Sequence, residues 1–162
     1  MNMKKVWYAI ALLGLFLIIS GCGKKAEPVA INEKTDTCAY CNMAIMDNQY
    51  ATEVVLANNK TLKFDDLGCM FKWISENKDE KIQAKFVRDY NTKKWIEAEK
   101  ATYVYGKSLK TPMSYNVVSF KNKNDAQSFA KKHNGTVLSY NDLDSHKWEQ
   151  NKDMMKKMKG NM

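Results

Sequence analysis

Twice along this chain a β-hairpin signal is followed by an amphipathic helix and then a strand, and that order leaves few architectures open. In the first pass, Thr52–Ala57 and Thr61–Phe64 are β-rich runs on either side of Asn58-Asn59, a two-residue hairpin turn. Asp65-Asp66 offers a helix N-cap, and Leu67, Met70, Phe71 and Ile74 fall at i, i+3, i+4 and i+7, one face of a helix. Ile82, Ala84 and Phe86 then alternate as a strand. In the second pass, Thr102–Tyr105 and Asn116–Phe120 read as strands. Asp125 caps a helix with Ala126, Phe129, Ala130 and His133 on one stripe, and Asn134-Gly135 ends it before a closing strand, Thr136–Tyr140. Aligning Asp66 with Asp125 places Met70 on Phe129 and Cys69 on Ser128. Each ββαβ unit leaves an apolar sheet face that a partner must cover. The expected fold is therefore α+β, with two packed ββαβ units (about 37–90 and 95–143) forming one domain over residues 37–143.

The two ends are of a different character. Lys4 and Lys5 precede a 14-residue apolar run, Val6 to Ile19, which is short for a bilayer-spanning helix and closes on Ile19-Ser20-Gly21-Cys22. Small residues before a cysteine mark a lipoprotein signal: residues 1–21 are removed and Cys22 carries the lipid, which anchors the chain to a membrane on its extracytoplasmic face. Residues 22–36 are poor in large apolar side chains and read as a flexible tether, and residues 144–162 read as a loosely ordered Met- and Lys-rich tail. Without the signal the formal charge falls from +8 to +6, since that segment carries only Lys4 and Lys5. The lysines are scattered among acids and Arg88 is the sole arginine, so nucleic acid is a poor partner and anionic lipid a better one.

Three cysteines remain beyond Cys22, namely Cys38, Cys41 and Cys69, and an odd number in an exported protein cannot all pair internally. Cys38-Ala39-Tyr40-Cys41-Asn42-Met43 sets two thiols within reach of one ion and a thioether two residues on, a soft set that suits Cu(I). A Cys38–Cys41 disulfide, a thioredoxin-type redox pair and a zinc site compete with this reading. The redox pair is disfavoured because no strand precedes the motif and no helix starts at it; zinc is disfavoured because neither His133 nor His146 has finger spacing to a second histidine. Cys69 falls in the first turn of its helix, off the apolar stripe, as a third ligand, a resolving thiol or a small packed residue. Thr111-Pro112-Met113-Ser114 lies between two strands, where Met113 is either a soft ligand or a side chain folded onto its own hairpin. Met154, Met155, Met158 and Met162 make the tail either a weak copper-collecting arm or a poorly ordered end.

Taken together and in order, the lipobox ending at Cys22, Cys38-x-x-Cys41-x-Met43, Phe64-Asp65-Asp66 followed by Cys69-Met70, and Thr111-Pro112-Met113 resemble the NosL lipoproteins, accessory proteins of nitrous-oxide reductase maturation. Asn42 stands where that family commonly has glycine, a mild departure because asparagine tolerates positive φ. The resemblance runs from about Cys22 to Leu143. It implies a two-unit ββαβ fold, Cu(I) binding by Cys38, Cys41, Met43 and Met113, with Cys69 a further candidate, and transfer of copper to an exported apo-cuproenzyme such as nitrous-oxide reductase. The expectation is a membrane-anchored metallochaperone and not an enzyme. The rival is a membrane-anchored thiol–disulfide oxidoreductase using Cys38 and Cys41.

Overall fold

A computed structural model describes residues 25–159; the signal segment and Cys22 lie outside the described residues. The elements in chain order are β1 (Thr52–Leu56), β2 (Thr61–Phe64), α1 (Leu67–Glu76), β3 (Ile82–Arg88), β4 (Trp95–Glu97), a 3₁₀ turn (Ala98–Lys100), β5 (Thr102–Tyr105), β6 (Val117–Phe120), α2 (Lys123–His133), β7 (Thr136–Leu138), α3 (Tyr140–Ser145) and α4 (Lys152–Lys159). They form two antiparallel sheets, ordered β2-β1-β3-β4 and β6-β5-β7. In both, the first strand of the unit is central, its hairpin partner lies on one side and the strand after the helix on the other. The fold is α+β, two sheet-and-helix units.

The register explains which face each residue serves. Thr52 pairs with Phe64 and with Val87, and Val54 with Leu62. That face carries Val54, Leu56, Phe64 and Val87 into the main core, where α1 delivers Leu67, Cys69, Met70 and Phe71. Each such side chain contributes about 1.5–3 kcal/mol when fully buried. A second cluster, Val104, Leu109, Val118, Phe120, Ala126 and Ala130, lies under α2. On the opposite face of β1, Glu53 is fully buried and accepts the Val29 N–H at 2.8 Å.

That contact belongs to a stretch read from sequence as a tether. Residues 25–36 form no helix or strand, yet they lie against the first sheet. Lys63 Nζ donates to Ala30 O at 2.8 Å and to Asp36 Oδ2 at 2.5 Å, Lys25 pairs with Glu97 at 2.5 Å, and Ile31 packs on the main core. A buried Glu53 needs a donor, and the arm's Val29 amide supplies one.

Other departures are local. Asn122, rather than Asp125, is the N-cap of α2, and Asp125 falls in the first turn. The closing strand stops at Leu138 because Ser139 forms a capping box with Asp142 and starts α3. The tail does not leave the domain at residue 144. Trp148 stacks on Phe71 with ring centroids 4.8 Å apart, and Asn151 N donates to Ser114 O at 2.8 Å just before α4. No helix among the described residues is long and apolar enough to cross a membrane.

Candidate metal centre

Two structures built from distant sequence converge at the centre. The first is the C-x-x-C loop. Thr37 and Ala44 form an antiparallel bridge, Cys38 N donates to Met43 O at 2.8 Å, and Asn42 N donates back to Cys38 O at 2.9 Å. Asn42 takes φ 60, the left-handed conformation that closes so tight a turn and that asparagine adopts at small cost. Ala39 N donates to Lys63 O at 2.9 Å, tying the loop to β2.

The second is the start of α1. Asp66 is its N-cap: one carboxylate oxygen accepts from Gly68 N at 2.9 Å, the other from Met113 N at 2.9 Å. One side chain thus fastens the helix start to the Thr111–Ser114 turn, which is closed by Ser114 N to Thr111 O at 3.0 Å. Gly68 is required here, since a Cβ would lie 2.0 Å from the Tyr115 ring.

Between loop and helix, the Sγ atoms of Cys38, Cys41 and Cys69 and a carboxylate oxygen of Asp65 all lie within 4.8 Å of one another. Cys38 and Cys69 are wholly buried, Cys41 is partly open to solvent, and all three are free thiols. Sulfurs bound at about 2.3 Å in a tetrahedral site lie about 3.8 Å apart, so a small contraction would close the set on one ion.

The electrostatics divide the three thiols. Cys38 is held well below the ordinary thiol range, because the Cys69 S–H donates to its sulfur and the amides of Cys41, Asp65 and Tyr40 point at it, outweighing burial. Cys69 is pushed up by that same bond, which keeps its proton in place, and by burial and the nearby Asp65. Burial raises Cys41, with the Asp65 charge adding to it. Asp65 accepts from Cys41 Sγ at 3.5 Å, and burial with the Cys38 charge pushes it up to about 7. Of the three, Cys38 is thus the thiol most readily ionised, while Cys41 and Cys69 hold their protons more firmly.

The sequence candidates are placed unequally. Cys38, Cys41 and Cys69 come together. Met43 sits on the C-x-x-C loop and is 57% exposed. Met113 is half-buried against the core that contains Cys38 and Cys69. Met70 is fully buried, a packing residue as its stripe requires. Asp65 was missed. Its four-residue spacing to Cys69 across a helix start was the available signal, but next to Asp66 it read as part of a cap.

Geometry of this kind defines an α+β domain whose three thiols and one carboxylate are gathered closely enough to hold a metal ion. The NosL family model matches residues 28–148, and this protein belongs to the NosL family. A curated relative, the copper-binding lipoprotein NosL of Stutzerimonas stutzeri, is 30% identical over 141 residues, covering 78% of this chain and 74% of that protein. The crystal structure of the copper chaperone NosL from Shewanella denitrificans superposes with a TM-score of 0.63 at 22% identity, covering 71% of this chain and 93% of that one. At that identity the likeness is one of fold.

Proposed function

We propose that this protein is a lipid-anchored, extracytoplasmic copper chaperone, not an enzyme, that holds Cu(I) and passes it to an exported cuproenzyme, with nitrous-oxide reductase the client suggested by its family. The observation that carries the reading is the gathering of three free thiols and Asp65 within 4.8 Å, two of the thiols fully buried, in a domain of this family. Thiolates favour a soft monovalent ion, and a relative named as a copper-binding lipoprotein supports both the metal and the anchor at Cys22. Cys38, Cys41 and Cys69 are the proposed ligands. Met43 and Met113 are neutral thioether donors at the rim, able to leave first when a client ligand arrives, and Asp65 orients and balances the thiols.

Transfer would proceed by ligand exchange. The ion enters with Cys38 already ionised; Cys41 and Cys69 give up protons as they bind. A client sulfur or imidazole then approaches through partly open Cys41 and exposed Met43, and the proteins share the ion before the thiols are reprotonated.

A single titration tests the reading: reduced protein from about Lys24 onward competes with a chromophoric Cu(I) chelator. One equivalent bound tightly, and lost in a Cys38→Ser, Cys41→Ser double variant, is expected; failure to take Cu(I) from the chelator refutes it. The low-lying Cys38 thiol would also serve a disulfide oxidoreductase. Turnover in an insulin-reduction assay, with no Cu(I) bound, would favour that alternative.

A further inference from the structure

We propose that the β4 edge of the first sheet is a membrane-facing surface, with Lys25, Lys93, Lys94 and Lys100 set against anionic lipid headgroups. The thiol cluster is then carried at the far edge of that sheet, away from the bilayer. This rests on the lipid anchor proposed at Cys22 and not on the copper chemistry.

The arm crosses the sheet strand by strand. Lys63, Glu53, Phe86 and Glu97 are direct cross-strand partners and form one row over the four strands. Three of them hold the arm: Lys25 pairs with Glu97 on β4 at 2.5 Å, Val29 N donates to Glu53 on β1 at 2.8 Å, and Lys63 Nζ on β2 donates to Ala30 O at 2.8 Å. The strand order is β2-β1-β3-β4, so the arm enters at one edge of the sheet and finishes at the other. Past the β2 edge it becomes the C-x-x-C loop, whose Ala39 N donates to Lys63 O at 2.9 Å, and Asp65 directly follows β2. The outer strands of a four-stranded sheet lie about 14 Å apart, three spacings of about 4.8 Å. Cys22 is three residues from Lys25, so by any path it lies within about 11 Å of it. The anchor therefore belongs to the β4 edge, and the thiols to the β2 edge.

Charge at that edge is the second, independent observation. Lys25 and Lys100 share the Glu97 carboxylate, at 2.5 and 2.6 Å, yet keep 76% and 66% of their side chains exposed. Glu99 is taken by Lys85 at 2.7 Å. Lys93 and Lys94 are exposed in the turn between β3 and β4 and have no ion pair among the described residues. The turn holds its shape through Asp89, which accepts from Thr92 N at 3.0 Å and Thr92 Oγ1 at 2.6 Å, while Asp89 N donates to Lys94 O at 2.8 Å. Lys93 takes φ 58, a conformation that glycine or asparagine adopts with less strain, so backbone preference does not account for a lysine there. Lysines beside a lipid anchor are drawn to an anionic surface within a Debye length, about 8 Å at physiological salt. The anchor keeps these four at that range.

The test places the mature chain, purified from membranes, in nanodiscs of mixed phosphatidylcholine and phosphatidylglycerol. A gadolinium-tagged headgroup lipid then broadens the backbone amide NMR signals of whatever lies near the bilayer. Amides of residues 92–100 should broaden most, and those of residues 39–43 and 67–70, beside the thiols, should be spared. A Lys93→Gln, Lys94→Gln, Lys100→Gln variant should lose at least about threefold of the broadening at the β4 edge, and so should the unaltered chain in phosphatidylcholine alone. Broadening that is uniform, or strongest beside the thiols, overturns the proposal. So does broadening that neither the variant nor the neutral lipid changes, since the anchor alone would then set the orientation. Mass analysis of Cys22 keeps the two readings apart. An unmodified Cys22 refutes the anchor and this proposal together, whereas a lipidated Cys22 with the wrong broadening pattern refutes this proposal alone.

Discussion

The proton inventory of the thiol cluster allows pH to count the ligands. Above about pH 7 Asp65 is ionised, Cys38 is a thiolate, and Cys41 and Cys69 keep their protons. An ion bound by all three sulfurs must then expel two protons, and the apparent affinity rises about a hundredfold per pH unit, roughly 2.7 kcal/mol. An ion held by Cys38, Cys41 and a methionine expels one proton and gains only about tenfold per unit, because thioethers carry no proton. The measurement is Cu(I) competition with a chelator of known protonation constants at several values between about pH 7.5 and 8.5, supported by proton release in weakly buffered solution. A slope near two that falls to one in Cys69→Ser establishes Cys69 as a ligand. An affinity that does not change with pH refutes the division of one thiolate and two thiols, and a slope of two that persists in Cys69→Ser removes Cys69 from the site.

Three further tests probe neighbouring parts of the structure. Cys38→Ser or Cys41→Ser should lower Cu(I) affinity at least about tenfold, about 1.4 kcal/mol, since a hard hydroxyl replaces a soft donor; chelator competition reads it directly. Met70→Leu should cost under about 1.5 kcal/mol in denaturant unfolding and leave copper binding intact, whereas Met113→Leu should keep stability and weaken copper binding. Asp66→Ala removes the cap of α1 and the anchor of the Met113 turn, so unfolding free energy should drop by about 1–3 kcal/mol with a parallel loss of copper affinity.

The order of strands and helices was legible because period and punctuation agreed. The first hairpin turns at Asn58-Asn59 as read, but through a three-residue loop, Ala57–Asn59, because Leu56 N donates to Lys60 O and Asn59 takes the left-handed φ of 65. Asp66 caps α1 as its spacing to Leu67 and Met70 requires. Reading failed where a short signal competed with a longer one. Ser139 lies at the end of an apparent strand, and only its pairing with Asp142 turns the chain into α3. Trp95–Glu97 is a three-residue strand whose existence depends on pairing with β3. The arm at residues 25–36 looked loose because its bonds are made by distant Glu53, Lys63 and Glu97, none of which leaves a local trace. For the metal centre, the C-x-x-C was visible as a local motif. Cys69 and Asp65 could join it only once α1 was placed against the loop, since sequence spacing does not encode that packing.

The way the clustered thiols and Asp65 are divided between loop and helix bears on how an ion held there would leave. Cys69 and Asp65 belong to a helix start that the buried Asp66 carboxylate locks to a neighbouring turn, and they cannot move without breaking that cap. Cys38 and Cys41 belong to a loop closed largely on itself, with Ala39 N to Lys63 O joining it to β2. Lys63 in turn grips Ala30 and Asp36, so the arm that leads toward Cys22 shares a residue with the loop's fastening. Motion of the arm relative to the sheet therefore reaches the two loop sulfurs before the helix sulfur. In such a site the loop side opens first, through partly exposed Cys41 and exposed Met43, while Cys69 keeps its place. A carrier that must hold an ion yet surrender it to a partner is well served by a fixed half and a movable half. The hydrogen bond of Cys69 to Cys38 couples the two: in the proposed cycle, once the ion has left, Cys69 would regain a proton and donate that hydrogen bond to Cys38 again. Release thus restores the resting charge state with a single thiolate buried, where three would repel one another at close range.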